Sequence, residues 1–274
     1  MENDILAFIG GGQMARALVG GLVAGGHDPG AIRVSDPVPA QREAIEREFP
    51  GVTAHGGNAA AAEGASTWIL AVKPQQMRDA CAGLAPLAGR QRPLVISVAA
   101  GIRLADLSAW LGADVPVVRS MPNRPALLRA GISALAAGPA VSAAERARAA
   151  ALLSAVGACE WVEDEALMDA VTAVSGSGPA YLFLLVEMLE AAARAEGLAP
   201  ATARRLAVET VHGAARMARE LGEDPAVLRE QVTSKGGTTA AALAVLEEAG
   251  IRATFSRAVH AARLRSAELA RGGG

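Results

Sequence analysis

The period of the apolar positions changes once along the chain. Up to about residue 162, short runs of Val, Ile, Leu and Ala alternate with longer segments in which apolar residues recur every three or four positions. The first pattern is that of buried strands and the second that of amphipathic helices. Together they predict strands over 5–9, 32–35, 52–55, 67–72, 93–99, 115–120, 131–137 and 159–162, with helices over 13–23, 40–48, 74–88 and 104–111. Ser142-x-x-Glu145 has the form of a capping box, and the helix it opens is expected to end near Gly157. Strands alternating with helices imply a mainly parallel sheet covered on both faces, with ligands at the carboxyl ends of its strands.

Beyond residue 162 the strand signals stop. Helices are predicted over 164–174, 181–196, 200–221, 225–232, 238–249 and 252–270, and a domain boundary near Glu163 follows from the change of period. Ser175-Gly176-Ser177-Gly178-Pro179 separates the first two helices, with Pro179 suited to the first turn of the second and Gly178 or Ser177 to its cap. That second helix carries Leu182, Phe183, Leu184, Leu185, Val186, Met188 and Leu189 around nearly its whole circumference. A helix apolar all round has to be covered on every side, which so short a domain can hardly do. Residues 163–274 are therefore expected to build a homodimer, or a higher assembly of dimers.

The turns carry the chemistry. Strand 5–9 breaks into Gly10-Gly11-Gly12 and a helix follows, so Gly10-x-Gly12-x-x-Ala15 matches the dinucleotide-binding fingerprint in the strand–turn–helix context that the motif requires. The first glycine makes the turn, the second lets a pyrophosphate approach the backbone, and the small Ala15 lets helix and strand pack closely. Ile9, Gly11, Gln13 and Met14 complete this candidate cofactor loop. The fold class expected is thus α/β: a Rossmann-like, doubly wound domain over 1–162 followed by an all-helical domain over 163–274. Asp36, after the second strand, would accept ribose hydroxyls and favour NADH, whereas Ser35 with Arg42 could receive the 2′-phosphate of NADPH. Three further turns end strands at Ala71-Val72-Lys73-Pro74, Ala99-Ala100-Gly101 and Met121-Pro122-Asn123. Small residues at two of them leave room for a flat nicotinamide, and Lys73 is read as a point charge near phosphate or ribose rather than as a catalytic group.

In the second half, the stretch QVTSKGGTTAAAL at 231–243 puts hydroxyls and bare backbone amides where a helix begins. Gly236 and Gly237 remove the Cβ atoms that would hold a ligand away, and Thr238 and Thr239 open an alanine-rich run of high helix propensity. The N–H groups at such a start, with the positive end of the helix dipole, favour a small anion such as a carboxylate. The alternative is a plain turn with Thr238 as N-cap. Tyr181, the only tyrosine, is a candidate proton donor, although such residues more often sit at the rim of a core with the hydroxyl outward.

Composition narrows the partners. At 274 residues the chain is long enough for two domains, and 51% hydrophobic against 3% aromatic residues implies a core of Ala, Val and Leu. A net charge of -2 offers no polycationic footprint for nucleic acid. No uninterrupted apolar run approaches spanning length, and the chain opens on a strand-like run after MEND rather than on a signal or anchor, so no membrane partner and a cytoplasmic location are expected. Cys81 and Cys159 form no CxxC pair, and His27, His55, His212 and His260 are too scattered for a metal cluster, so neither disulfide nor metal is expected.

Five motifs fall in order along the chain: GGGQMA at 10–15, AVKP at 71–74, RSMPN at 119–123, SGSGPAY at 175–181 and VTSKGGTTAAAL at 232–243. Together, over almost the full length, they resemble the pyrroline-5-carboxylate reductase family. The resemblance implies a Rossmann domain that binds NADPH or NADH, with a lean to NADPH, and a helical domain that dimerises and forms the substrate pocket. It implies reduction of L-1-pyrroline-5-carboxylate to L-proline by hydride transfer to the ring C=N bond, the last step of proline biosynthesis. Cofactor contacts are implied at Ser35, Asn58, Ala71, Val72, Lys73, Pro74, Val98, Ala99 and Ala100, beside Asp36, Met121, Pro122 and Asn123. The substrate set is Ser177, Ser234, Gly236, Gly237, Thr238 and Thr239, with Thr239 toward the ring nitrogen and Ser234 as the second catalytic hydroxyl. Lys235 stands where a proline often precedes the two glycines, and Arg124 where threonine usually follows the Met-Pro-Asn.

Reducing a cyclic imine needs a hydride donor, an oriented ring and a polarised nitrogen, but no strong acid–base pair, and none stands out here. A related imine or hydroxyacid reductase would show a catalytic Lys or Asp in the helical half, where Lys235 is the one candidate. A non-catalytic NAD(P)-binding sensor would need no substrate pocket at all.

Overall fold

The computed structural model describes residues 4–272. Two compact units divide them: one runs to Gly176 and takes in the chain again from Ala262, and the other is Ser177–Ala261.

The first unit alternates as the apolar pattern predicts. Its order is β1 (Leu6–Ile9), α1 (Gln13–Ala24), β2 (Ile32–Ser35), α2 (Pro39–Glu48), β3 (Thr53–His55), α3 (Asn58–Ala62), β4 (Thr67–Leu70), α4 (Pro74–Gln91), β5 (Leu94–Ser97), α5 (Leu104–Leu111), β6 (Val117–Met121), β7 (Gly131–Ala137), α6 (Ala143–Leu153), β8 (Gly157–Trp161) and α7 (Met168–Val171). The strands form one sheet in the order β3-β2-β1-β4-β5-β6-β7-β8. Every pairing is parallel except β6 with β7, where Met121 faces Ala134 and Val118 faces Ala137. The connection there is the 3₁₀ turn Arg124–Leu128, too short for the crossover that a parallel neighbour would need. After β3 the chain returns to lay β4 beside β1, and at such a reversal of strand order a doubly wound sheet opens its ligand crevice.

Alternation along β1 shows why these strands read as continuously apolar. Leu6 and Phe8 face Leu18, Val19 and Leu22 of α1 and Ile45 of α2, while Ala7 and Ile9 face Met77 and Leu84 of α4 and Leu107 of α5. Both faces are covered, so each large side chain contributes about 1.5–3 kcal/mol on burial.

Two expectations are corrected, and one helix is added. The segment 164–174 is not one α-helix: it divides into a 3₁₀ turn Glu165–Leu167, α7 and a π-turn Thr172–Gly176. Thr172 Oγ1 donates to the Met168 carbonyl at 2.9 Å and Ser175 Oγ to that of Val171 at 3.0 Å, and such hydroxyl bonds to backbone carbonyls compete with the regular ladder. Helix α3, four alanines behind Asn58, is too short to show a period and had no sequence signal. Finally, one helical run among the described residues, Glu165–Ala195, is long and apolar enough to cross a membrane by length and composition. The π-turn joins two apolar segments that the glycines and Pro179 separate on paper.

The second unit contains α8 (Gly178–Ala195), α9 (Pro200–Leu221), α10 (Pro225–Gln231), α11 (Thr238–Glu248) and the first part of α12 (Ile251–Gly272). Helix α8 packs along α9, yet none of its residues is buried, and Leu182 and Phe183 are 51% and 61% exposed. Helix α12 begins in this unit and ends in the first. There the Ser266 hydroxyl donates to Asp169 Oδ1 at 2.7 Å, and a Cβ on Gly101, in the turn that follows β5, would lie 3.9 Å from the Ala270 backbone.

Candidate active site

The carboxyl edge of the sheet gathers the dinucleotide residues. Gly10 has φ +102°, and a Cβ there would come within 2.8 Å of the Ala71 carbonyl, so the turns after β1 and β4 abut only because glycine stands at this position. Gly12 is the N-cap of α1, with no side-chain cap. Nothing in the protein lies within 4 Å of where its Cβ would be, so packing does not demand glycine there. The bare space before the first amides of α1 is a cradle that a side chain would fill, and it fits a pyrophosphate. Gln13 is exposed and Met14 half-buried, whereas Ile9 lies in the core and can offer only its backbone.

At the end of β2 the carboxylate of Asp36 is already engaged. Oδ2 accepts the Gly11 N–H at 3.2 Å and Oδ1 the Val38 N–H at 2.9 Å, which ties the glycine loop to β2. Arg42 Nη1 donates to the Asp36 and Pro37 carbonyls at 2.8 and 3.1 Å, so a guanidinium is held at the same strand end. The idea that the Ser35 hydroxyl could receive a phosphate is corrected. Ser35 is 1% exposed, and its hydroxyl donates inward to Asn58 Oδ1 at 2.8 Å, fastening α3 to β2.

The other strand ends line up beside these. Ala71 and Val72 are half-buried, exposed Lys73 is the N-cap of α4 without a cap bond, and Pro74 follows in the first turn. Val98 is half-buried, Ala99 buried and Ala100 exposed. Pro122 is buried between half-buried Met121 and Asn123. Asn123 differs from its neighbours in that its side-chain amide meets protein on both sides, accepting from Ile132 and donating to the Ser175 carbonyl. Sequence reasoning quoted Arg119 within a motif but gave it no role. It is 5% exposed and donates to Glu165 Oε1 at 2.8 Å, the same oxygen that accepts the Leu104 N–H at 2.8 Å. A lone charge within a buried strand was the available signal, since a buried cation requires a partner.

In the second unit the glycine-threonine stretch forms a tight turn into α11. Gly236 has φ +72°. Gly237 is the N-cap, so Thr238 takes the first helical position and the reading of Thr238 as a cap is set aside. The Gly237 N–H donates to the Ser234 carbonyl at 3.1 Å, and a Cβ on Gly237 would lie 2.4 Å from Ser234 Oγ. One glycine is therefore required by conformation and the other by the serine folded over it. No side chain caps α11, which leaves its first amides available to an anion. Thr233 Oγ1 pins the turn by donating to the Arg229 carbonyl at 2.6 Å. Ser234, Lys235, Gly236 and Thr238 are exposed, and Gly237 and Thr239 half-buried. Ser177 sits at the N-cap of α8 without using its side chain as a cap. The Tyr181 ring packs edge-on against Phe255, centroids 5.7 Å apart at 81°, so the ring is part of the packing of this unit.

Two family profiles match the chain. One, described as pyrroline-5-carboxylate reductase dimerisation, covers residues 165–269, and the other, NADP oxidoreductase coenzyme F420-dependent, covers 5–101. A pyrroline-5-carboxylate reductase from Pseudomonas aeruginosa is 50% identical over 270 residues, 98% of this chain and 98% of that one. The chain belongs to the pyrroline-5-carboxylate reductase family. A family member from Synechocystis is 43% identical over 96% of this chain and 97% of its own length. Among solved structures, the Coxiella burnetii pyrroline-5-carboxylate reductase superposes with a TM-score of 0.94 at 40% identity, covering 98% of this chain and 99% of that one. The Plasmodium falciparum enzyme, with NADP bound, gives 0.85 at 26% identity over the same shares.

Proposed function

We propose that the protein reduces L-1-pyrroline-5-carboxylate to L-proline at the expense of NADPH or NADH, the last step of proline biosynthesis. Family membership along 98% of the chain carries this reading. In it, residues 1–162 form the dinucleotide-binding domain and residues 163–274 the dimerisation and substrate domain.

The residues present suit the cofactor. Gly10 to Ala15 would hold the pyrophosphate at the start of α1, Asp36 and Arg42 the adenosine ribose, and Lys73 a phosphate or ribose oxygen. The small turns Ala71-Val72 and Val98 to Ala100 leave a flat ring room against backbone, with Met121 to Asn123 beside them. When bound, the reduced nicotinamide supplies the hydride. The chain itself supplies positioning and electrostatics. The Gly236 amide and the first amides of α11, at Thr238 and Thr239, hold the substrate carboxylate, aided by the helix dipole, while the Gly237 N–H stays on the Ser234 carbonyl and keeps the turn closed. With the carboxylate fixed, the Thr239 hydroxyl meets the ring nitrogen, and Ser234 and Ser177 supply further hydroxyls around the ring. A hydrogen bond at that nitrogen steadies the proton it carries while the neighbouring carbon loses its double bond.

The protein acts as a homo-oligomer, and we take a homodimer through residues 163–274 as its smallest folded form. The apolar run Glu165–Ala195 is then covered by a second copy rather than by lipid, since 165–269 is the stretch that the dimerisation profile matches. The reading places the enzyme in the cytoplasm, where reduced dinucleotide is regenerated, with neither nucleic acid nor membrane as partner.

The test is loss of NADPH absorbance with pyrroline-5-carboxylate as substrate, with proline identified as the product. Equal amounts of NADPH consumed and proline formed are expected. Tight NADPH binding without turnover would instead favour a dinucleotide sensor.

A further inference from the structure

The loop that ends β6 and the turn that leads into α8 are fastened to each other. Asn123 Oδ1 accepts the Ile132 N–H at 3.0 Å, and Asn123 Nδ2 donates to the Ser175 carbonyl at 3.1 Å. A peptide N–H only donates and a carbonyl only accepts, so these two partners together fix which way the amide lies. Ser175 belongs to the π-turn Thr172–Gly176, and turns of this kind are frequent at functional sites because they displace backbone groups from the regular helical ladder. On the same loop Met121 fills the space beside this turn, where a Cβ on Gly176 would come within 2.7 Å of Met121 Cε. One residue beyond the turn, Ser177 takes the N-cap position of α8 and leaves its hydroxyl unused as a cap.

We infer that Asn123 is a positioning residue for the imine rather than a contact of the dinucleotide: by holding the Ser175 carbonyl it sets the turn 172–176, and through it the placement of the Ser177 hydroxyl. The sequence pattern groups Asn123 with the cofactor because it ends a strand at the carboxyl edge. The amide, however, is oriented by two protein partners, one on its oxygen and one on its nitrogen. The inference rests on the reading that the chain reduces pyrroline-5-carboxylate with Ser177 among its substrate contacts.

The experiment measures steady-state kinetics and NADPH affinity, by fluorescence titration, on the wild type, Asn123→Asp and Gly176→Ala. Asn123→Asp keeps an oxygen for the Ile132 N–H and, when ionised, sets a negative oxygen in place of the donor to Ser175. Its kcat/KM for the imine should fall tenfold or more, while the Kd for NADPH stays within twofold. As the pH is lowered its kcat/KM should recover relative to the wild type, because a protonated carboxyl again donates to the Ser175 carbonyl. Gly176→Ala leaves Asn123 whole and presses on the turn from the Met121 side. It should show the same split between imine kinetics and NADPH affinity, to a smaller extent. Unchanged imine kinetics in Asn123→Asp, or an NADPH Kd that rises in step with the loss of kcat/KM, overturns the inference. If Asn123→Asp does not fold, Gly176→Ala decides: the split supports the inference, and wild-type kinetics overturn it. A wild type that fails to oxidise NADPH with the imine overturns the underlying reading instead, before any variant is compared.

Discussion

Thr239 is where a single atom separates two roles. Thr239→Val keeps the shape and removes the hydroxyl, and loss of one hydrogen bond to a charged or polarised group costs about 1.5–3 kcal/mol. The expected result is a fall of roughly ten- to a hundredfold in kcat/KM for the imine, with the cofactor KM little changed. If the hydroxyl acts only as the bond order changes, kcat carries the loss; if it merely binds the ring, KM does. Wild-type values for both would confine Thr239 to the helix. Arg42 offers a second test. Its guanidinium is held at the end of β2 while the Asp36 carboxylate is tied to Gly11 and Val38, so the cation is the freer of the two charges toward a 2′-phosphate. Arg42→Ala should lower kcat/KM with NADPH by about tenfold, the worth of one charge-assisted bond, and leave NADH nearly unaffected. Equal losses with both dinucleotides would remove Arg42 from cofactor choice. The glycines and threonines of these turns could be read from the sequence because each belongs to a motif with fixed spacing. The inward turn of Ser35 and the clamp made by Asn123 could not, because both depend on partners, Asn58 and Ser175, set by tertiary packing.

Among the elements, α8 carries the heaviest unmet requirement. It has no buried residue, although Leu185 lies in its middle and its neighbours are as apolar as a core. An exposed apolar surface of this kind marks an association site. Leu185→Glu should therefore yield insoluble or unfolded protein, as seen by gel filtration and circular dichroism, and a soluble, active monomer at micromolar concentration would exclude the dimer. The sequence pattern located this helix and the strands of the sheet, since strong periodicity survives any detail of packing. It placed the ends less well: the expected strand 67–72 closes as Thr67–Leu70, where the polypeptide leaves the ladder to form the turn against Gly10. It also read 164–174 as one helix, because the hydroxyls of Thr172 and Ser175 look like ordinary helix residues until their carbonyl partners are known.

For the whole molecule, the decisive fact is that the first unit is assembled from two separate stretches of chain. Ser266 is 8% exposed and bonded to Asp169, so Ser266→Ala should cost about 1 kcal/mol and lower the melting temperature of the first unit by about 2–4 °C. An unchanged melt would mean that the end of α12 is held without this bond. No period in the sequence announces this return, because α12 is a regular amphipathic helix throughout and only its contacts change along its length. The return also imposes a timetable. At synthesis rates of about 5–20 residues per second, the ribosome needs on the order of ten seconds to pass from Ser177 to Ala261. During that interval the nascent sheet has all its strands but lacks the segment that bonds Asp169. The dinucleotide fold is therefore finished from its far end, after the helices of its neighbour have been made.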